Sequence, residues 1–401
     1  MIQTIAELAP KFQELAFCRP EDLDARVTNH EPSESAIAGD WPMIEAQLPS
    51  NWRELGRALG LDPATRSWHP HGSKIRDLGV VLRLVLFHVG ANVALATTTA
   101  MAAAADLATI SPVALHLWMR RIGPWLASLL GALTDAAETF SPARWAGYDI
   151  RIVDATVVSR PGSKGTTARV HYAIRLTDLQ PIYEEVTDET GGETFRRFSH
   201  VAGPKELWLG DRAYGSPPGI AEMTAAGSAV LVRWNRGALP LYDTHGALLD
   251  VGAKLARRLT QCGKPREWAA WVHPKDGPVI RGRLCAVRLP PDKAEKARVR
   301  ARREQGAKVT AETLEMAVFV VVFTTVPKDL LVAEQILELY RLRWQVELTI
   351  KRDKSIAGLD RLPNFRDDTI KSWILAKLLL TQIARKISTP EVCVPPCAVA
   401  A

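Results

Sequence analysis

The chain has 401 residues, 47% of them apolar and 24% charged. That balance supplies a large core and excludes a disordered, collagen-like or disulfide-stapled chain. The net charge of +7 is concentrated: Lys254 to Lys308 carries sixteen Lys/Arg against five Asp/Glu, so the remainder is slightly acidic. Such a block points to a polyanionic partner, most simply nucleic acid, with a solvated surface helix at 293–304 (KAEKARVRARRE) as the alternative.

In chain order, the first residues include Glu7, Lys11 and Glu14 and do not read as a signal peptide. The five cysteines (Cys18, Cys262, Cys285, Cys393, Cys397) form no CxxC pair and no zinc spacing, and read as reduced thiols of a cytoplasmic protein. Residues 1–145 are Ala/Leu-rich with helical periodicity, for example RDLGVVLRLVLFHV and ASLLGALTDAAETF, and form an α-helical N-terminal domain. Residues 84–105 are uncharged and long enough to span a bilayer. Their Ala/Thr content, His88 and Asn92 favour a buried helix, and no membrane partner is expected. Ser111 and Pro112 start a helix as N-cap and first residue. With the Ala-rich helix before it, this is a helix-turn-helix carrying His116, Arg120 and Arg121, or an ordinary helical hairpin. Trp68-His69-Pro70-His71 reads as a turn rather than a metal site.

From about residue 146 the texture changes to short alternating runs. DIRIVDATVVSR, ARVHYAIRLTD and PIYEEVTDE read as three sequential antiparallel strands. ELWLGD, the short helix GIAEMTAAGS and AVLVRWN then continue a mixed α/β layer. Residues 236–326 hold further β-like runs (EWAAWVHP, VIRGRLCAVRL, MAVFVVVFTTV) and one basic helix, a β-rich basic insertion. A long helix is expected from Lys328 or Asp329 to Ile356, another to about Ile387, and a disordered Pro-rich tail over 389–401.

Asp154 sits among apolar neighbours in the first strand, and Asp211 ends the strand LWLGD. A buried carboxylate is costly unless paired or metal-bound, and two at the ends of adjacent strands can hold a hard cation. Singly, each is as well read as a strand-end cap or an ion-pair partner. In one continuous helix, Tyr340, Arg343, Glu347 and Lys354 fall within about 60° of one another and project from one face. Glu347 then offers a third carboxylate. His171, on the second strand, faces the Asp154 site or the opposite side.

YRLRWQVELTIKRDK matches Tyr-x2-Arg-x3-Glu-x6-Lys at Tyr340, Arg343, Glu347 and Lys354, with Trp344 after the Arg. The chain thereby resembles the DDE transposases of the IS-four group of insertion sequences. Asp154-Ala155-Thr156 and Asp211 in GDRAYG stand in the family's order, followed by a large β-rich insertion. The resemblance covers roughly residues 90–385. It implies a ribonuclease-H-like catalytic core (146–235 and 327–388) with the triad Asp154, Asp211 and Glu347 holding two Mg2+ or Mn2+ ions. It further implies DNA contacts from Tyr340, Arg343, Lys354 and Trp344, with Arg212 as a DNA contact or an ion-pair partner. In relatives an insertion-domain Trp stacks on a flipped base; Trp268 and Trp271, on opposite strand faces, are the candidates here, or both pack in the insertion's core. Arg257, Arg258, Lys264, Arg281, Arg283 and Arg288 are candidates to clamp terminal DNA. The implied activity is cleavage at terminal inverted repeats and strand transfer into target double-stranded DNA, by a homodimer associated with the bacterial nucleoid. Two other readings share these residues: a silent DNA-binding remnant, suggested by the short Pro/Cys/Ala C-terminus, and a stand-alone metal-dependent nuclease.

Overall fold

The computed structural model describes residues 41–61, 75, 77–135, 145–163, 165–363 and 365–388. The Trp68–His71 motif, the 389–401 tail and Cys18, Cys393 and Cys397 lie outside these residues. Cys262 and Cys285 are free thiols.

The N-terminal region forms six helices: α1 (Trp41–Glu45), α2 (Trp52–Ala58), α3 (Leu78–Ala91), α4 (Leu95–Ala104), α5 (Pro112–Met119) and α6 (Gly123–Asp135). The uncharged 84–105 stretch is two helices. Asn92, the C-cap of α3, adopts a left-handed conformation (φ 55°), which Asn tolerates and which ends a helix. Ser111 caps α5 as expected, its Oγ accepting from the Ala114 N–H at 3.1 Å. Two side chains of the candidate helix-turn-helix make contacts within the chain, one of them an exposed ion pair. The His116 ring lies 5.5 Å from Phe365, and Arg120 pairs with Asp368 at 2.7 Å. Among the described residues no helix is long and apolar enough to cross a membrane.

Eight strands follow: β1 (Asp149–Val158), β2 (Ala168–Arg175), β3 (Pro181–Thr187), β4 (Glu206–Gly210), β5 (Ala229–Arg233), β6 (Arg266–Val272), β7 (Ile280–Arg288) and β8 (Phe319–Thr324). They form one sheet in the order β3-β2-β1-β4-β5-β8-β7-β6. β1, β2 and β3 are the expected antiparallel meander, and β4 and β5 run parallel to β1. The three strands of the 236–326 segment continue this sheet, antiparallel through β8 against β5.

Both faces of the sheet are covered, and alternation sorts the strand residues between them. Ile150, Ile152, Leu207, Leu209, Leu231 and Val322 join the core under the N-terminal helices and the C-terminal helices. Val153, Trp208, Val230, Val232 and Phe323 join the core on the other side, with α7 (Pro217–Ala225) and α8 (Val251–Arg258). α9 (Pro291–Gln305) and the short α10 (Ala311–Met316) precede β8.

The long C-terminal helix is interrupted. α11 (Ala333–Arg341) and α12 (Trp344–Ser355) are separate, followed by α13 (Asp367–Ser388). At the junction the Arg343 N–H donates to the Tyr340 carbonyl (3.2 Å) and the Val346 N–H to the Arg343 carbonyl (3.3 Å). These are i→i+3 bonds, and such a turn eclipses side chains three apart, stacking Tyr340 beside Arg343. Tyr340, Arg343, Glu347 and Lys354 therefore do not lie on one continuous helix.

Arg283 also departs from expectation. It is 6% exposed, pairs with Glu267 at 2.5 Å, and donates to the carbonyls of Val326 (2.9 Å) and Leu331. Its guanidinium ties β7 to the segment entering α11, in the interior rather than on a DNA-facing surface.

Candidate active site

β1 and β4 pair in parallel from Asp149↔Glu206 to Ile152↔Leu209. Two residues on, this register brings Asp154 level with Asp211, where β4 has ended. Side chains two apart on a strand share a face, so Asp154 follows Ile150 and Ile152, and Asp211 follows Leu207 and Leu209. That is the face on which α12, bearing Glu347, packs against β1 and β2. Gly210 matters to this strand end: a Cβ there would lie 2.7 Å from the Tyr214 Cβ. The missing side chain lets Tyr214 fold back under Asp211.

Asp154 is mostly buried and its carboxyl is pushed up to about 6. Burial is the largest cause, and the Asp211 and Glu347 charges add to it. The Ala155 N–H, which donates to Oδ1 at 2.8 Å, and Arg343 pull the other way. Arg343 Nη1 stands 3.6 Å from Asp154 Oδ2, and its Nη2 pairs with Glu347. One guanidinium therefore bridges two of the three carboxylates. Asp211 Oδ1 accepts from the Ala213 N–H at 2.7 Å. Among the described residues no three His, Cys, Asp or Glu side chains are drawn together closely enough to hold an ion.

Lys354 Nζ donates to the Val157 carbonyl at 3.1 Å, three residues along β1 from Asp154. Burial lowers its pKa. A cleft of about 720 Å3 opens beside these groups, lined by Asp211, Arg212, Tyr340, Arg343 and Glu347 on one wall and by α9 and α10 on the other. Trp344 is 43% exposed and does not line it.

Neither expected stacking tryptophan lines this cleft. Trp268 packs on the core beside α8, and Trp271 lies 5.7 Å from the Arg281 guanidinium. The tryptophan in the cleft is Trp234, just past β5, its indole N–H donating to the Leu239 carbonyl at 2.9 Å. It was legible only as the end of AVLVRWN, where nothing marked it as more than a strand residue. Arg257, Arg258 and Arg281 are exposed but line other surface. Tyr214 was also not anticipated. It is fully buried, its hydroxyl has no hydrogen-bond partner among the described residues, and burial, with the fields of Asp154, Glu193 and Asp211, holds its pKa well above the usual phenol value. His171 is buried and turned toward Thr187, with its ring Nε2 and Thr187 Oγ1 3.1 Å apart; burial lowers its pKa to about 3 and keeps it neutral.

A family model described as a transposase DDE domain matches residues 145–383. Over 362 residues the chain is 35% identical to the transposase InsL for insertion sequence element IS186A of Escherichia coli (strain K12), covering 86% of this chain and 96% of the relative. It is similar to the same degree, over 363 residues, to the transposase for insertion sequence element IS421 of Escherichia coli. Two aspartates level on neighbouring parallel strands, a glutamate on the helix packed across them, and these likenesses together identify the chain as a member of the DDE transposase family.

Proposed function

We propose that the chain cuts DNA at the ends of an insertion sequence and joins the freed 3′-hydroxyl to target DNA, with Asp154, Asp211 and Glu347 as the catalytic carboxylates. The observation that carries this reading is the β1–β4 register, which aligns two carboxylates on one face beneath α12. β1 to β5, in the order β3-β2-β1-β4-β5 with a meander followed by parallel strands, form the ribonuclease-H-like core of this proposal. Residues 236–326 are its basic insertion, and the helices up to 145 its N-terminal domain.

The three carboxylates offer only hard oxygen donors, the set that Mg2+ or Mn2+ takes. Burial and its two acidic neighbours raise the pKa of the Asp154 carboxyl, so added positive charge is favoured there. The donor chemistry suits such ions although the three carboxylates stand apart here; two ions, as the resemblance implies, would be held by Asp154, Asp211 and Glu347. When bound they supply activation of the attacking oxygen and stabilisation of the leaving one.

The chain's own groups do the rest. Arg343, which in the free chain spans Asp154 and Glu347, presents a planar fork to a backbone phosphate beside the cut. Lys354 offers a point charge from the far end of α12, and Arg212 and Tyr340 line the approach. Trp234 provides the aromatic face within reach of an extruded base, a sequence-tolerant hold. Arg257, Arg258 and Arg281 extend the positive surface along the duplex. A pair of chains on paired ends completes the assembly.

The test uses an end-containing duplex and Mg2+. Asp154→Ala, Asp211→Ala and Glu347→Ala should each abolish strand cleavage while duplex binding persists. Retained cleavage in any one removes that residue from the triad. An assay for joined product separates a transposase from a nuclease of the same core.

A further inference from the structure

One feature of the cleft is unexplained by cleavage chemistry. Arg212 follows Asp211, Arg233 ends β5 and Arg300 stands on α9, and all three line the cleft. Two of them pair with a single carboxylate, and the third lies near enough to act on it. Glu304 accepts from Arg300 Nε at 2.6 Å, lies 3.9 Å from Arg212 Nη2, and stands in the field of Arg233. Lys296, Arg300 and Glu304, four residues apart, form the cleft-facing stripe of α9. Arg298 and Arg302 behave differently: both pair with Glu295, off the cleft.

Guanidiniums from two separate elements on one carboxylate, with a third beside them on the same cleft wall, make a geometry that takes a phosphate. Here the carboxylate stands in its place. All four side chains are exposed, and exposed ion pairs are weak, so a phosphodiester can displace the glutamate. On the same cleft Arg236 is held by Glu312 of α10 in the same manner.

We propose that Arg212, Arg233 and Arg300 form a binding site for one DNA backbone phosphate beside Asp211, occupied in the free protein by Glu304 as a place-holder that the phosphate displaces. The proposal rests on reading the cleft as the DNA site. Displacement offsets part of the charge gained, because the released carboxylate must be neutralised again by solvent cations.

The test measures binding of the full chain to a fluorescent duplex without divalent ions, over a range of salt. Glu304→Gln should tighten binding about tenfold at low salt and steepen the log–log salt slope by about 0.9, one further effective cation. Arg300→Gln and Arg233→Gln should each weaken binding and flatten the slope by about that amount. In an Arg212→Gln/Arg300→Gln background, the gain from Glu304→Gln should vanish. An equal gain in both backgrounds would show that Glu304 merely repels DNA at a distance, and overturns the place-holder. So does a Glu304→Gln variant that binds like the wild type. If the wild-type chain binds no duplex, the reading of the cleft falls, and the place-holder with it.

Discussion

Arg385→Met should separate what holds α12 from what merely stabilises the protein. α12 carries the exposed Glu347, the half-buried Lys354 that reaches β1, and the fully buried Asp353 on its inner side. Asp353 Oδ1 accepts from Arg385 of α13 at 2.5 Å, and the half-buried Glu184 of β3, which accepts from Gln382 at 2.9 Å, lies close by. Burial raises the pKa of Asp353, and Arg385 is the largest influence opposing that. Taking away the cation leaves the buried carboxylate with only the Tyr172 hydroxyl and the more distant Arg352 charge acting on it, a loss of up to about 3–5 kcal/mol. The loss should grow as pH rises, because the orphaned Asp353 can escape part of it only by holding a proton. Replacing both partners with apolar residues, Asp353→Leu with Arg385→Met, should recover the stability to within about 1 kcal/mol. Urea unfolding gives the stabilities, and single-turnover cleavage of an end duplex, under conditions where every variant is folded, gives the second readout. If the pair sets the register of α12 over β1, the double variant regains stability but not cleavage. Cleavage that returns together with stability would refute the positioning role and leave the pair as a stability element alone.

Glu184 supplies a pH signature of the same region. Burial, with the Asp353 charge next, pushes it up to about 8 from 4.5, so the folded chain keeps a proton that the unfolded chain releases. Its contribution is complete below the unfolded value and lost as pH rises through about 8. Unfolding free energies of Glu184→Gln and wild type should thus diverge in favour of the variant by about 2–5 kcal/mol between about pH 5 and pH 8.5; a constant difference would place the raised carboxyl elsewhere. Trp234→Ala should slow end cleavage more than Trp268→Ala or Trp271→Ala in single-turnover assays, since only Trp234 lines the cleft; the opposite order would restore the insertion-strand tryptophans as the stacking candidates. Arg283→Met should cost about 1–3 kcal/mol in urea unfolding, by leaving unpaired the Val326 and Leu331 carbonyls it serves, while the half-buried Glu267 keeps Lys328 at 2.6 Å. It should leave the salt slope of duplex binding unchanged, whereas Arg281→Gln should lower it by about 0.9.

The strands were legible because alternation and turn residues are local signals. β1 to β3 follow the three expected runs, and the two aspartates could be marked from their apolar neighbours and their place at strand ends. Their alignment was not legible, since it depends on the offset between β1 and β4, a non-local quantity that neither strand encodes alone. The continuous helix failed for a different reason. Leu342 and Arg343 are ordinary helix formers, and the turn there is set by tertiary partners: Arg343 reaches Asp154 on a strand nearly two hundred residues earlier. Arg283 was counted with the basic surface because a charge count cannot see that β7 runs between two other strands. Trp234 was passed over because its neighbours in the cleft come from α9, α10 and the turn into α12.

The cations around the site share a property that bears on how the free protein tolerates them. Arg343 is held by Asp154 and Glu347, Arg300 and Arg212 by Glu304, Arg236 by Glu312, and Lys354 by the Val157 carbonyl. A cleft lined by so many guanidiniums would repel itself if they stood bare, and would bind any polyanion in the cell. Pairing each with a carboxylate or carbonyl at hand removes both costs. It also makes DNA binding an exchange of partners, so affinity depends on a substrate that can replace several contacts at once. A phosphate track threaded through the cleft can do that; a polyanion touching only the outer surface leaves Asp154 and Glu347 with their resident arginine.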